Sequence, residues 1–261
     1  MLTIAALSIA GITLLAACTV SEPESSTGAK TTEPSLPPSD VSSPQPSQES
    51  AAPARLWQEA IDATSGAGNA RLEVQLITNV EGFERITSGE GYVELESGFG
   101  DITWTDDLGA SREVLTQSGH FLELDGTWFA VEGEAALPTT VAFDPLRGLS
   151  SASGVVLTGS EDVLGVETTR YDADLDPADA RSIMGFSEEE LTVFPDATDA
   201  SSIATIWVDS EGHIVRLLRE YQTTSIDGDP ITATSLYLFD AFSAPQPIDV
   251  PETADAIPAP V

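Results

Sequence analysis

Lysine is almost missing from this 261-residue chain. Lys30 is the only one, and ten basic residues in all face 43 aspartates and glutamates, a formal charge of −33. From Arg55 onward there are nine arginines, no lysine and 38 carboxylates, a formal −29. Binding nucleic acid through phosphate contacts needs clustered basic side chains, so that function class is excluded. A surface this acidic is well solvated and resists self-association, which points to a monomer adapted to a salty exterior. Cysteine is equally scarce: Cys18 stands alone, so there is no intramolecular disulfide framework. Histidine is limited to His120 and His213, poor support for a zinc site or a Cys/His nucleophile. There is no G-x-S-x-G, and Gly148-Leu-Ser-Ser-Ala-Ser-Gly154 spaces its serines and glycines differently. The acidic runs Asp172-Ala-Asp174-Leu-Asp176 and Asp227-Gly-Asp229 do not continue as an EF-hand loop with its distal glutamate, and turn solvation accounts for them. No catalytic residue, metal or cofactor is expected, and the chain reads as a non-enzyme.

Long apolar runs are also absent, except at the start. Leu2 to Ala17 carries no charge, and Ile4 to Leu15 suits the apolar core of an export signal while being too short to span a bilayer. The n-region, Met1-Leu2-Thr3, lacks the usual Lys or Arg. Leu15-Ala16-Ala17-Cys18 matches a bacterial lipobox, in which the Cys thiol takes a diacylglyceryl group and becomes the first residue after cleavage. Each buried CH₂ is worth roughly 0.8 kcal/mol, so a multiply acylated Cys18 would hold the protein on the extracytoplasmic face of the cell membrane without spanning it.

Residues 1–17 are thus expected to be a lipoprotein signal peptide. Residues 18–54 follow as a tether rich in Ser, Pro and Thr, whose few apolar residues cannot offset chain entropy. Residues 55–261 make one domain with a loose, proline-rich end. Period-two alternation dominates that domain: Ala70, Leu72, Val74 and Leu76 alternate with Arg71, Glu73 and Gln75, and the same pattern returns around Val93 and around Leu122. Turn signals such as Ser97-Gly98, Asp125-Gly126 and Asp227-Gly228 predict hairpins, and 203–209, 213–226 and 231–242 read as a meander closing the sheet. Helical pattern is confined to Ala54 to Thr64, with Leu56, Trp57, Ala60 and Ile61 on one face, to the stretch 176–191, and to a turn at 144–149. A broad sheet with so few helices fits a sandwich, a closed barrel, or a curved half-barrel that leaves room for a ligand.

Several stretches occur in order: "ARLWQEAIDATSG", "DGTWFAVEG", "FDPLRGLSSASG", "GSEDVLGVETTRYDADLD", "IWVDSEGHIVRLLREY" and "LYLFDAFSAPQPIDVPETAD". With the lipobox and tether, they resemble the LppX/LprAFG lipoproteins of mycobacteria and related bacteria. The resemblance implies an α+β, mostly β fold similar to LolA/LolB: a curved antiparallel half-barrel with a few helices covering a hydrophobic cavity. It implies binding of an acylated lipid or glycolipid for transport or presentation, with a membrane transporter as a candidate partner. A lipid- or peptide-sensing module of the envelope, with no carrier step, is the alternative. Candidate lining residues are the apolar ones of the helical and crossover segments: Leu56, Ile61, Phe143, Leu146, Leu149, Ile183, Met184 and Phe186.

Overall fold

The computed structural model describes residues 48–80, 82–131, 138–177, 200–225, 227–243, 248 and 257–258. They belong to the compact unit Gln45–Val261; a second unit, Met1–Pro44, holds Cys18 and lies outside the described residues. In chain order the elements are α1 (Gln48–Gly66), β1 (Asn69–Val80), β2 (Phe83–Glu94), β3 (Phe99–Asp106), β4 (Gly109–Thr116), β5 (Gly119–Leu124) and β6 (Thr127–Ala130). Then come β7 (Ser153–Val163), β8 (Val166–Asp174), β9 (Ser201–Val208), β10 (Ile214–Thr224), β11 (Pro230–Ser243) and β12 (Ile257–Pro258). Short 3₁₀ segments lie at Pro138–Phe143 and Leu149–Ser151. No described helix is long and apolar enough to cross a membrane.

The strands form one sheet in the order β12-β6-β5-β4-β3-β2-β1-β11-β10-β9-β8-β7. Among the described residues every pairing is antiparallel except the short β12–β6 contact, and β7 and β12 are the edges of an open sheet. Neighbours in sequence pair through hairpins, as the turn residues dictate. At Asp125-Gly126 both residues have positive φ, 51° and 77°, the backbone of the tight two-residue turn that matches strand twist. The meander β9–β10–β11 does not close the sheet at its end. β11 pairs with β1 in mid-sheet, joining Leu72 to Phe239 and Val74 to Tyr237, and β8 and β7 extend beyond β9.

Alternation sorts the two faces. Leu72, Val74 and Leu76 of β1, Ala233 and Tyr237 of β11, and Leu217 and Tyr221 of β10 are buried on one side, the concave one, in a single cluster. Burying a side chain of that size is worth about 1.5–3 kcal/mol, against about 0–1 for an exposed ion pair such as Arg55–Glu59, so this face holds the fold together. Curvature has a local cause in β2. Gly89 and Gly91 face inward, and a Cβ on Gly89 would sit 2.6 Å from the Trp104 ring. Missing side chains there let the indole lie against β2 and the strand bend.

Helix α1 covers one end of the concave face through Trp57, Ala60, Ile61 and Thr64, an i, i+3, i+4, i+7 stripe. It begins six residues before Ala54, running through Pro53, whose missing N–H costs only one bond near the helix start. A register shift between Ile214 and Arg216 leaves the Ile214 N–H off the ladder, and it donates to Thr64 Oγ1 at 2.8 Å. The expected turn at 144–149 is a chain of i→i+3 bonds, Arg147 N–H to Asp144 O and Leu149 N–H to Leu146 O, between the two 3₁₀ turns. The helical stretch expected at 176–191 lies almost wholly outside the described residues.

Candidate functional site

The concave face, where α1 and the 138–152 segment lie over the sheet, is where the sequence places a ligand. Ile61, Phe143, Leu146 and Leu149 all fall there, inside the continuous core cluster with Trp57, Ile102 and Trp104. Leu149 also ties the cover to α1, its carbonyl accepting from Trp57 Nε1–H at 2.9 Å. Leu56 is a correction: it is 39% exposed, one residue off the buried stripe that starts at Trp57. Ile183, Met184 and Phe186 lie outside the described residues.

Two polar groups that sequence reasoning passed over share this face. Glu113 of β4 is fully buried, its Oε2 accepting from Trp104 Nε1–H at 2.9 Å and its Oε1 lying 2.6 Å from His120 Nε2. Ladder register puts it opposite Ile102 and Leu122, so the carboxylate sits inward with apolar neighbours. Arg219 of β10 is also fully buried. Small residues oppose it, Ala204 on β9 and Ser235 on β11, which makes room for the long side chain. Its Nη2 donates to two backbone carbonyls of the cover, Pro145 O at 2.6 Å and Arg147 O at 2.7 Å. Among the described residues its Nη1 and Nε make no hydrogen bond of good geometry. The Tyr237 ring lies 5.7 Å from the guanidinium carbon, and its hydroxyl, though close enough to interact, makes no hydrogen bond of good geometry. Burial pushes the Arg219 pKa down, opposed by Tyr237 and by the more distant Asp144. Burial pushes the Tyr237 phenol up, opposed chiefly by Arg219.

Other arginines are treated differently. Arg71 meets Asp240, Arg112 meets Asp101 through two bonds, Arg170 meets Asp172 and Arg216 faces Glu161. On the convex face Trp207 donates to Glu161 at 2.8 Å while Arg170 and Arg216 lie over its ring, within a small second cluster with Val163 and Val215. An open groove of about 360 Å³ also runs over the outward positions Ser201, Ile203, Glu220, Gln222, Thr232 and Thr234. It lies on the outer face of the sheet and is not the covered apolar chamber expected from the sequence. Among the described residues no group of three His, Cys, Asp or Glu side chains is placed to hold a metal ion. The acidic runs fall on strand β8 and at the β10–β11 turn, where Asp172 takes Arg170 and the Asp229 amide bonds Ser225.

Strand order, the open edges and the covered concave face bear comparison with solved structures. Lipoprotein LppX of Mycobacterium tuberculosis superposes with a TM-score of 0.53 at 18% identity, covering 76% of this chain and 99% of that one. The chain has the LppX fold. LprF of Mycobacterium bovis gives 0.52 at 14% identity, with 77% and 98% covered, so the same half-barrel is shared twice over. No family model and no curated protein matches the sequence.

Proposed function

We propose that the chain is a membrane-anchored extracytoplasmic lipoprotein that binds acylated lipid or glycolipid between its concave sheet face and the segments covering it. It carries or presents that lipid and performs no chemistry on it. The observation that carries this reading is the fold shared with two lipoproteins over about three quarters of the chain. A lipobox ending at Cys18 and a continuous apolar inner face support it. Carrying a multi-acyl lipid through water exposes apolar area at about 25 cal/mol per Å², and enclosure removes that cost.

Mass spectrometry of an organic extract of the purified, non-acylated protein is the test. A co-purified long-chain lipid, together with a thermal shift on re-adding long-chain but not short-chain analogues, is the expected outcome. At a hundredfold excess over Kd the stabilisation is about 2.7 kcal/mol. With no lipid recovered and none that shifts the melting temperature, the carrier reading falls. Anchoring has its own test: Cys18→Ser leaves no thiol for the thioether, and unchanged retention in the detergent phase would refute the anchor.

A further inference from the structure

Arg219 is a permanent cation, fully buried, with no carboxylate at salt-bridge distance among the described residues, Asp144 acting on it only from farther away, in a domain whose carboxylates outnumber its arginines about fourfold. The described arginines on the surface find acids with ease, Arg71, Arg112 and Arg170 among them. A guanidinium has five N–H donors, and the two on Nη2 are used by Pro145 O and Arg147 O. Two on Nη1 and one on Nε make no hydrogen bond of good geometry among the described residues, and neither does the buried Tyr237 hydroxyl beside them, which has Arg219 and Ser235 as its polar neighbours. All these groups are donors on the apolar concave face, directly under the 144–149 cover, and what they lack in common is an oxyanion. Burying a guanidinium is costly unless an anion shares the site, and a charge-assisted bond in such surroundings is about twice as strong as a neutral one.

We propose that Arg219, with Tyr237, receives the acid group of the ligand, so that the lipid taken up is anionic, a phosphate or carboxylate on long acyl chains. This rests on the lipid-binding reading above and narrows it. Nη2 stays on the cover while Nη1, Nε and the phenol contact the acid group, so binding also ties the 144–149 segment to the lipid. The acidic exterior plays no part in the selection, since it repels anions of every kind. Selection comes from the inner site alone.

The test compares two lipids of identical acyl chains on the full chain, dipalmitoyl phosphatidic acid and dipalmitoylglycerol, with inorganic phosphate as the third arm. The native protein is expected to bind the phosphatidic acid at least about tenfold more tightly, a difference of about 1.4 kcal/mol. Arg219→Gln and, with the fold undisturbed, Tyr237→Phe are expected to bring the ratio of the two affinities down toward one, whatever either change does to lipid binding in general. Arg219→Lys keeps the charge and serves if Arg219→Gln does not fold. Equal affinity of the two lipids for the native protein overturns the proposal and leaves the carrier reading standing. Binding of neither overturns both. Variants that lose stability with the preference intact reduce Arg219 to a clamp on the cover and overturn the proposal. If inorganic phosphate alone at millimolar concentration stabilises as much as the phosphatidic acid, the site takes a free oxyanion and the acyl part of the proposal fails.

Discussion

Thr64→Val tests whether one hydroxyl docks helix α1 onto the sheet. The Thr64 side chain is fully buried, donates to Ala60 O at 2.7 Å and accepts the Ile214 N–H at 2.8 Å. Valine matches its shape, so packing is kept and only the hydroxyl is lost. Ala60 O retains its helical partner, but the Ile214 N–H, freed by the register shift, has no other acceptor among the described residues. Leaving a buried donor unpaired costs about 1–3 kcal/mol, and we expect about 2 for this variant. Trp57→Phe removes the other tie, yet Leu149 O still accepts from Ala152 N–H at 3.2 Å, so the hydrogen-bond part of its cost is nearer 1 kcal/mol, with a further loss for the smaller ring. The two sites share no partner and should add within about 0.5 kcal/mol. Urea unfolding followed by far-UV circular dichroism gives each value, and hydrogen exchange at the Ile214 amide reports the bond directly. Thr64→Ser, which keeps the hydroxyl, should restore the amide's protection. A Thr64→Val protein within about 0.5 kcal/mol of the native one, with that amide still protected, would refute the docking argument.

Three further outcomes follow from burial, space and charge. Burial raises the phenols of Tyr171 and Tyr237 above their ordinary 10.0, so the fold prefers them neutral; that stability is present below pH 10 and lost as pH rises through the raised values. Phenolate absorbance should therefore lag a free-tyrosine curve until the protein unfolds, and Tyr237→Phe should soften the alkaline fall in melting temperature; simple titration near pH 10 without unfolding would contradict this. Gly91→Ala puts a Cβ against Asp101 O and 2.8 Å from the Ile102 Cα, backbone that cannot give way, so it should cost about 3 kcal/mol, whereas Gly66→Ala meets nothing within 4 Å and should gain roughly 0.5–1. Equal denaturation midpoints for those two variants would be wrong for both. With a formal −29 from Arg55 onward and ion pairs that are mostly exposed, added salt screens more repulsion than attraction, so the melting temperature should rise toward molar ionic strength, where the Debye length is about 3 Å; a flat or falling curve would mean the carboxylates are neutralised locally.

Hairpins were legible because each one is local. Alternation at 70–76 and around Asp125-Gly126 fixes strand, face and turn within a dozen residues, and α1 shows itself by its stripe. Pairing of β1 with β11 was not legible, since its partners stand about 170 residues apart and nothing in either strand names the other. That single pairing turns the meander from a closing edge into the centre of the sheet. Leu56 misled for a different reason: on a helix a shift of one position is 100° of rotation, and a leucine beside a tryptophan looks equally buried until the sheet defines which way the stripe faces.

Arg219 was legible in principle, by parity instead of by residue type. Leu217, Arg219, Tyr221 and Thr223 are alternate residues of one strand, and all four are buried. Turning Arg219 out to water would need β10 to slip by one residue, which flips every one of them. The slip would recover the several kcal/mol that an unpaired guanidinium costs, but it would expose Leu217 and Tyr221, worth about 1.5–3 kcal/mol each, and break both the bond to the 145–147 carbonyls and the pairing with β9 and β11. The strand therefore keeps its register and the cation stays inside. A charged residue held at the middle of an alternating apolar run is thus fixed on the inner face by its neighbours at i±2. It is those neighbours, and not the charge itself, that mark where a sheet of this kind carries a polar contact for whatever it encloses.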